Sequence, residues 1–241
     1  MRIVLTLSLV LLASFAQAAD LRFATEPYPP YGFIGDDGQP KGSAVEQVRA
    51  IMESLAQPPS YSIEIIPWAR ALALTEEVPN HCAFLAARTS EREQRFRWVT
   101  PLSVDINHLV ARTDRNISAR SLEEARDLAV GAQRDDYTVG LLQAQNFRNL
   151  DLSASFDLTL SKLLSGRIDA MPMVQTVLEK QMAAGVPIRS IAVLSRQQLG
   201  IACNRQVPEA MIEKMQAALD RLRISGEQDR IRRQYGLPPL P

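Results

Sequence analysis

The chain of 241 residues has no net charge, with 27 Lys and Arg against 27 Asp and Glu. A general polyanion binder needs a basic excess, so nucleic acid is excluded as a bulk partner. Cysteine is scarce: Cys82 and Cys203 are the only two. Two cannot build a disulfide-dense scaffold or a multi-cysteine zinc domain. The two histidines, His81 and His108, stand apart from any carboxylate cluster, which argues against a metal site. H-E-x-x-H, a recognisable serine-nucleophile motif and a glycine-rich phosphate loop are all missing. Neither a cofactor nor catalysis is therefore expected. What is present is an apolar fraction of 46%, enough for a core and too much for a wholly disordered chain.

Only one long apolar run exists, and it lies at the N-terminus. Arg2 precedes Ile3 to Phe15, and Ala16-Gln17-Ala18 follows with the small-x-small cleavage pattern. The run is shorter than the roughly 18–20 residues of a spanning helix. It reads as a cleavable signal over residues 1–18, and the absence of a following Cys argues against a lipid anchor. The expected product is a soluble periplasmic protein. Cleavage takes Arg2 and no acid, leaving 26 basic against 27 acidic side chains. Cys82 and Cys203 would then meet an oxidising compartment. One bridge across a long loop and two buried thiols both remain open, and the apolar segments around each favour the thiols.

Beyond the signal, short strands alternate with helices. Strands are expected at Leu21–Thr25, Tyr61–Trp68, Cys82–Ala86, Leu128–Ala132, Leu150–Ser153 and Ile168–Val174. Two more are expected at Ile188–Leu194 and Leu199–Cys203. Helices fit Ala44–Leu55, Ala69–Thr75, Asp136–Ala144, Thr176–Ala184 and two apolar-striped stretches. One of these carries Leu158, Leu160, Leu163 and Leu164; the other carries Met211, Met215, Leu219 and Leu222. Ser90-Glu91-Arg92-Glu93 and Ser121-Leu122-Glu123-Glu124 are capping boxes, the first with Ser90 as cap. Phe96–Arg112 reads as extended with a break at Pro101. The basic run from Arg221 to Arg233 reads as a solvated helix face. The alternation implies an α/β protein with mainly parallel sheets.

Three blocks carry a resemblance. The first is Glu26-Pro27-Tyr28-Pro29-Pro30-Tyr31 with Asp37-Gly38-Gln39 and Gly42. The second is Thr89-Ser90-Glu91-Arg92 with Phe96 and Thr100-Pro101-Leu102. The third is Leu163-Leu164-Ser165-Gly166-Arg167-Ile168-Asp169-Ala170. Their order and spacing resemble the family 3 bacterial extracellular solute-binding proteins, periplasmic receptors that feed ABC transporters. The resemblance implies the two-lobed type II periplasmic binding protein fold, with two crossover strands and a ligand cleft between the lobes. The first lobe would hold residues 19–109 and 199–241, the second residues 110–198. It implies a monomer that captures a small polar, carboxylate-bearing solute for a membrane permease or sensor.

By the same resemblance Arg92 corresponds to the guanidinium that forks onto a ligand carboxylate, with Thr89 beside it. Tyr28 and Trp68 are candidate aromatic walls. Glu26 is a candidate partner for a positive ligand group, and Arg70 and Arg88 would enlarge a positive site. The second lobe departs from the family pattern. Where a Gly-Thr or Gly-Ser commonly opens a helix, this chain has Gln133-Arg134-Asp135-Asp136-Tyr137. Asp136 suits a helix N-cap, and Asp135, Asp136 and Tyr137 are candidate ligand contacts. After the third block comes Met171-Pro172-Met173-Val174-Gln175, without the acid that pairs with an α-ammonium. Gly42-Ser43-Ala44-Val45-Glu46 also departs from the common helix opening. Two further functions stay open on this fold: a sensory module and a periplasmic dehydratase-like enzyme.

Overall fold

A computed structural model describes residues 20–240; the expected signal segment lies outside the described residues. In chain order the elements are β1 (Leu21–Thr25), β2 (Phe33–Ile34), β3 (Pro40–Lys41), α1 (Ser43–Glu53), β4 (Tyr61–Ile65), α2 (Trp68–Glu77), β5 (His81–Ala87), α3 (Ser90–Glu93) and β6 (Arg97–Arg112). There follow β7 (Val130–Gln133), α4 (Tyr137–Ala144), β8 (Leu150–Ser153), α5 (Phe156–Leu164), β9 (Ala170–Val174), α6 (Gln175–Ala183), β10 (Ile188–Cys203), α7 (Glu209–Ile224) and α8 (Glu227–Gln234). Apart from the small β2–β3 ladder, the strands form one sheet of eight in the order β4-β1-β5-β10-β6-β9-β7-β8.

The order explains the two lobes. At one end β4, β1 and β5 run parallel, and at the other β8, β7 and β9 do. Between them β6 and β10 pair antiparallel over almost their whole lengths. β5 joins β10 at Leu199–Cys203, while β9 joins β6 at Asn107–Ala111. The two long strands thus belong to one lobe at one end and to the other lobe at the other. The cores are separate. Phe23, Val48, Ile51, Met52, Phe84, Ile201, Met215 and Leu219 fill the first. Leu109, Val130, Leu142, Phe147, Leu163, Met171 and Met173 fill two clusters of the second. The helical spacing of Val45, Val48, Ile51 and Met52 turns one face of α1 inward. Fully burying each such side chain contributes roughly 1.5–3 kcal/mol.

Several expectations need correction. Cys82 and Cys203 face each other across β5 and β10 and form a disulfide, not two free thiols. Ser90 is not the cap of α3: the Thr89 hydroxyl accepts the Arg92 N–H at 3.3 Å. Ser121 and Glu124 do exchange hydrogen bonds with the backbone, but in a run of turns rather than at a helix. β10 is one strand, not two. Pro101 does not break β6; the ladder is irregular there, with Leu199 paired to Ser103 and Ile201 to Val99. Gly200 alone therefore faces three residues, and a Cβ on it would lie 2.3 Å from the Thr100 side chain. The backbone groups freed by this irregularity are taken by glutamines. Gln216 accepts from the Thr100 N–H and donates to its carbonyl, both at 2.8 Å, and Gln228 donates to the Pro101 carbonyl at 2.9 Å.

Candidate functional site

The chain reverses after β1 through Glu26–Tyr31, and α2 begins at Trp68 directly after β4. Both segments, with Arg92 on α3, project from the first lobe toward α4 and its leading residues on the second. Between them lies a cavity of about 90 Å³. Its walls come from both lobes and from the crossover: Glu26, Tyr28, Trp68 and Arg92 on one side, Asp136, Tyr137 and Phe156 on the other, Asp105 and Asn107 between.

The lobes touch across this cavity. Arg92 Nη2 donates to the Asp135 carbonyl at 2.7 Å, and Trp68 Nε1 donates to the same oxygen at 3.1 Å. Gln133 donates to Glu26 at 2.5 Å, and the Tyr31 and Thr176 hydroxyls are 2.7 Å apart. The guanidinium also lies over the Trp68 ring, 5.8 Å from its centroid. Arg92 is only 5% exposed, and its Nη1 is buried without a partner. Desolvation pulls its pKa below the usual value, although a guanidinium stays charged in any protein. One arm of the expected fork is therefore engaged by protein, and the other is buried without a partner.

The acids behave differently from one another. Asp136 caps α4: its Oδ1 accepts the Thr138 N–H at 2.8 Å and also the Thr138 hydroxyl. Glu26 is half-buried, and burial pushes its pKa up to about 7 against the lowering hydrogen bond from Gln133. Asp105 is 6% exposed, and its Oδ1 has no partner. Burial pushes it to about 7 as well, with Arg232 pulling it down and Asp136 adding to the rise. Tyr28 stacks on Tyr31 with ring centroids 5.9 Å apart and meets Phe156 edge-on at 5.2 Å. Burial holds the Tyr28 phenol well above its ordinary value and that of Tyr31 at about 12, so both are neutral hydroxyls. Tyr137 is also raised by burial; its hydroxyl accepts from Asn107 Nδ2 at 2.6 Å.

Of the ten residues singled out in the sequence, Glu26, Tyr28, Trp68, Arg92, Asp136 and Tyr137 line the cavity. Thr89 serves as the cap that orients Arg92. Asp135 takes part through its carbonyl, while its side chain is exposed. Arg70 is exposed on α2. Arg88 is exposed and paired with Glu93 at 2.5 Å. The basic cluster expected on the first lobe therefore does not form around the cavity. Sequence reasoning missed Tyr31, Asp105, Asn107, Gln133 and Phe156. A signal existed for two of them. Ser103, Asp105 and Asn107 sit at alternate positions of a strand, so they share one face, and all three are buried. The histidines stay outside the cavity: His81 Nδ1 lies 3.1 Å from the Pro79 carbonyl and His108 Nδ1 2.8 Å from Ser190. Among the described residues no His, Cys, Asp or Glu group is arranged to hold a metal. No helix among them is long and apolar enough to cross a membrane.

No curated protein sequence matches the chain. Solved structures do match in fold. A histidine kinase sensor domain with similarity to periplasmic binding proteins superposes with a TM-score of 0.80 at 20% identity, covering 92% of this chain and 99% of the other. The substrate binding protein of an amino acid ABC transporter gives 0.77 at 15% identity, covering 90% and 99%. The ancestral amino acid-binding protein AncCDT-1, a precursor of cyclohexadienyl dehydratase, gives 0.75 at 18% identity, covering 90% and 94%. The sequence profile of bacterial extracellular solute-binding proteins, family 3, matches residues 21–238. That match runs through both lobes and both crossover strands, and the chain belongs to this family.

Proposed function

We propose that this is a periplasmic receptor, exported by a cleavable signal over residues 1–18, that closes on one small polar, carboxylate-bearing solute and delivers it to an ABC importer. Lobe 1 takes residues 19–109 and 199–241, and lobe 2 takes residues 110–198. The observation that carries the reading is Arg92, a residue of the cavity wall whose Nη1 is a buried charged donor without a partner. A buried guanidinium arm left unpaired is costly, and a ligand carboxylate satisfies it with a charge-assisted bond. Trp68, Tyr28 and Tyr137 wall the solute, and Glu26 and Asp136 complete the polar lining. Capture without turnover is the activity.

A thermal-shift panel of amino acids, small organic acids and polyamines tests this, because a ligand that binds only the folded state raises Tm. The hit is to be recovered chemically unchanged; its consumption would indicate an enzyme. Arg92→Ala is expected to weaken carboxylate binding about 10- to 100-fold, the worth of a charge-assisted bond of roughly 1.5–3 kcal/mol. Undiminished affinity in this variant overturns the anion role. The fold shared with a histidine kinase sensor domain supports a second reading, presentation to a membrane sensor. Solute uptake by cells lacking the protein separates the two: lost uptake marks an importer, and intact uptake with a lost response marks a sensor.

A further inference from the structure

The β6–β10 ribbon passes from one lobe to the other, and its register shows where neither lobe grips it. On the second lobe, the last pair of β6 with β9 toward the crossover is Asn107 with Val174. On the first lobe, β10 meets β5 from Leu199 onward, and Leu199 stands opposite Ser103. Three pairs lie between: Ile106 with Arg196, Asp105 with Gln197 and Val104 with Gln198. Among the described residues no third strand joins them. Their first-lobe end is fastened to Arg88, whose N–H donates to the Gln198 carbonyl at 3.1 Å and whose carbonyl accepts from the Gln197 side chain. Their second-lobe end is the pair Asn107 and Ser195. Both of those side chains reach one atom. Asn107 Nδ2 donates to the Tyr137 hydroxyl at 2.6 Å, and Ser195 Oγ lies 3.4 Å from the same oxygen.

Tyr137 is the first residue of α4. It follows Asp135 by two residues, and the Asp135 carbonyl receives Arg92 and Trp68 from the first lobe. Resting on the receptor reading only in that the lobes close, we propose that Tyr137 is a positioning residue for closure: its hydroxyl fixes the second-lobe end of the hinge, and its backbone carries the loop that meets the first lobe. One rigid side chain thereby ties the three bending pairs to the contact that bending makes and breaks. A phenol suits the task. It has two rotatable bonds and a polar tip at the end of a stiff ring, and burial keeps that tip a neutral hydroxyl. Asn107 is only 4% exposed, so its amide depends on this oxygen. A buried donor without an acceptor costs more than the bond contributes when made.

Amide hydrogen exchange of the solute-free protein, resolved by residue, tests the tie. Tyr137→Phe keeps the ring and removes the hydroxyl. The amides of Val104–Asn107 and Ser195–Gln198 are expected to exchange about 2- to 10-fold faster, the weight of one hydrogen bond, beyond any acceleration shared with the amides of β1 and β7. Tm is expected to fall as well, because the Asn107 amide is orphaned. The double variant Tyr137→Phe/Asn107→Leu separates the two effects. Replacing both partners with apolar groups is expected to restore most of the lost Tm, while the same amides stay fast. Hinge amides no faster than the rest of the sheet in Tyr137→Phe overturn the proposal. A double variant that regains their protection along with Tm overturns it too, because the bond then only satisfies a buried amide. No solute enters either measurement, so the receptor reading is decided separately by the thermal-shift panel.

Discussion

Arg92 and Asp105 are opposite charges in one cavity, each buried with an atom left unpaired. Burial of the carboxyl groups sets a pH dependence whose sign follows from linkage. Glu26 and Asp105 have folded pKa values near 7, raised above the ordinary carboxylate range by burial. The folded state therefore binds more protons than the unfolded state between about pH 4 and pH 7. Stability of the solute-free protein is expected to fall as pH rises through that window and to level off above it. The titratable and charged groups close enough to feel Asp105 are Arg232 from α8, Asp136 and Tyr137 at the start of α4, and Tyr28 and Tyr31 from the β1 loop. Of these only Asp136 is a carboxylate, and its Oδ1 is engaged as the cap of α4. A thermal-unfolding series from about pH 5 to pH 8 checks this; a Tm that climbs with pH contradicts it. Arg92 was legible in the sequence because a short motif surrounds it. Asp105 was not, because its burial comes from strands and helices far away in the chain, and only the Ser103-Asp105-Asn107 alternation hinted at a shared face.

The crossover strands show where element-level reading stops. Most elements of both lobes were readable from periodicity, since each buries one face against a core. β10 reads as two strands because Ser195–Gln198 is a polar run. In the fold that run crosses between the lobes, where no core covers it and alternate residues stay exposed. β6 survives Pro101 because the partner strand skips residues opposite Gly200 and two glutamines replace the lost ladder bonds. Such compensation lies more than a hundred residues away in sequence, beyond any local pattern. The disulfide has the same character. It ties β5 to the end of β10 across a separation of 121 residues, so only the assembled sheet brings the two cysteines together. Closing so long a loop constrains the unfolded chain, and removing the bridge is expected to cost about 2–5 kcal/mol. Urea unfolding of Cys82→Ala/Cys203→Ala checks it. A midpoint equal to that of the oxidised wild type would show that the bridge adds nothing.

Closure of the two lobes around a solute is the motion this architecture permits: two cores joined by a pair of strands form a hinge. Two of the contacts that bridge the cavity converge on a single atom, the Asp135 carbonyl oxygen, which receives both Arg92 and Trp68. What positions that oxygen is backbone conformation, not carboxylate charge. Asp135 has a φ of 61° and an exposed side chain. Left-handed backbone is tolerated by Asp and Asn and costs other residues about 1–2 kcal/mol, most for β-branched ones. Asp135→Asn is therefore expected to leave solute affinity within about twofold, whereas Asp135→Val is expected to weaken it about tenfold, the equivalent of 1.4 kcal/mol. Trp68 reports the same event. It is 3% exposed when its indole is bonded across the cavity, so opening wets the ring and closure on a solute should shift its emission to the blue. Asp135→Asn should retain that shift, Asp135→Val should require more solute to produce it, and Trp68→Phe should abolish it. Equal losses in Asp135→Asn and Asp135→Val would instead make the carboxylate the ligand contact and remove the carbonyl from the closing mechanism.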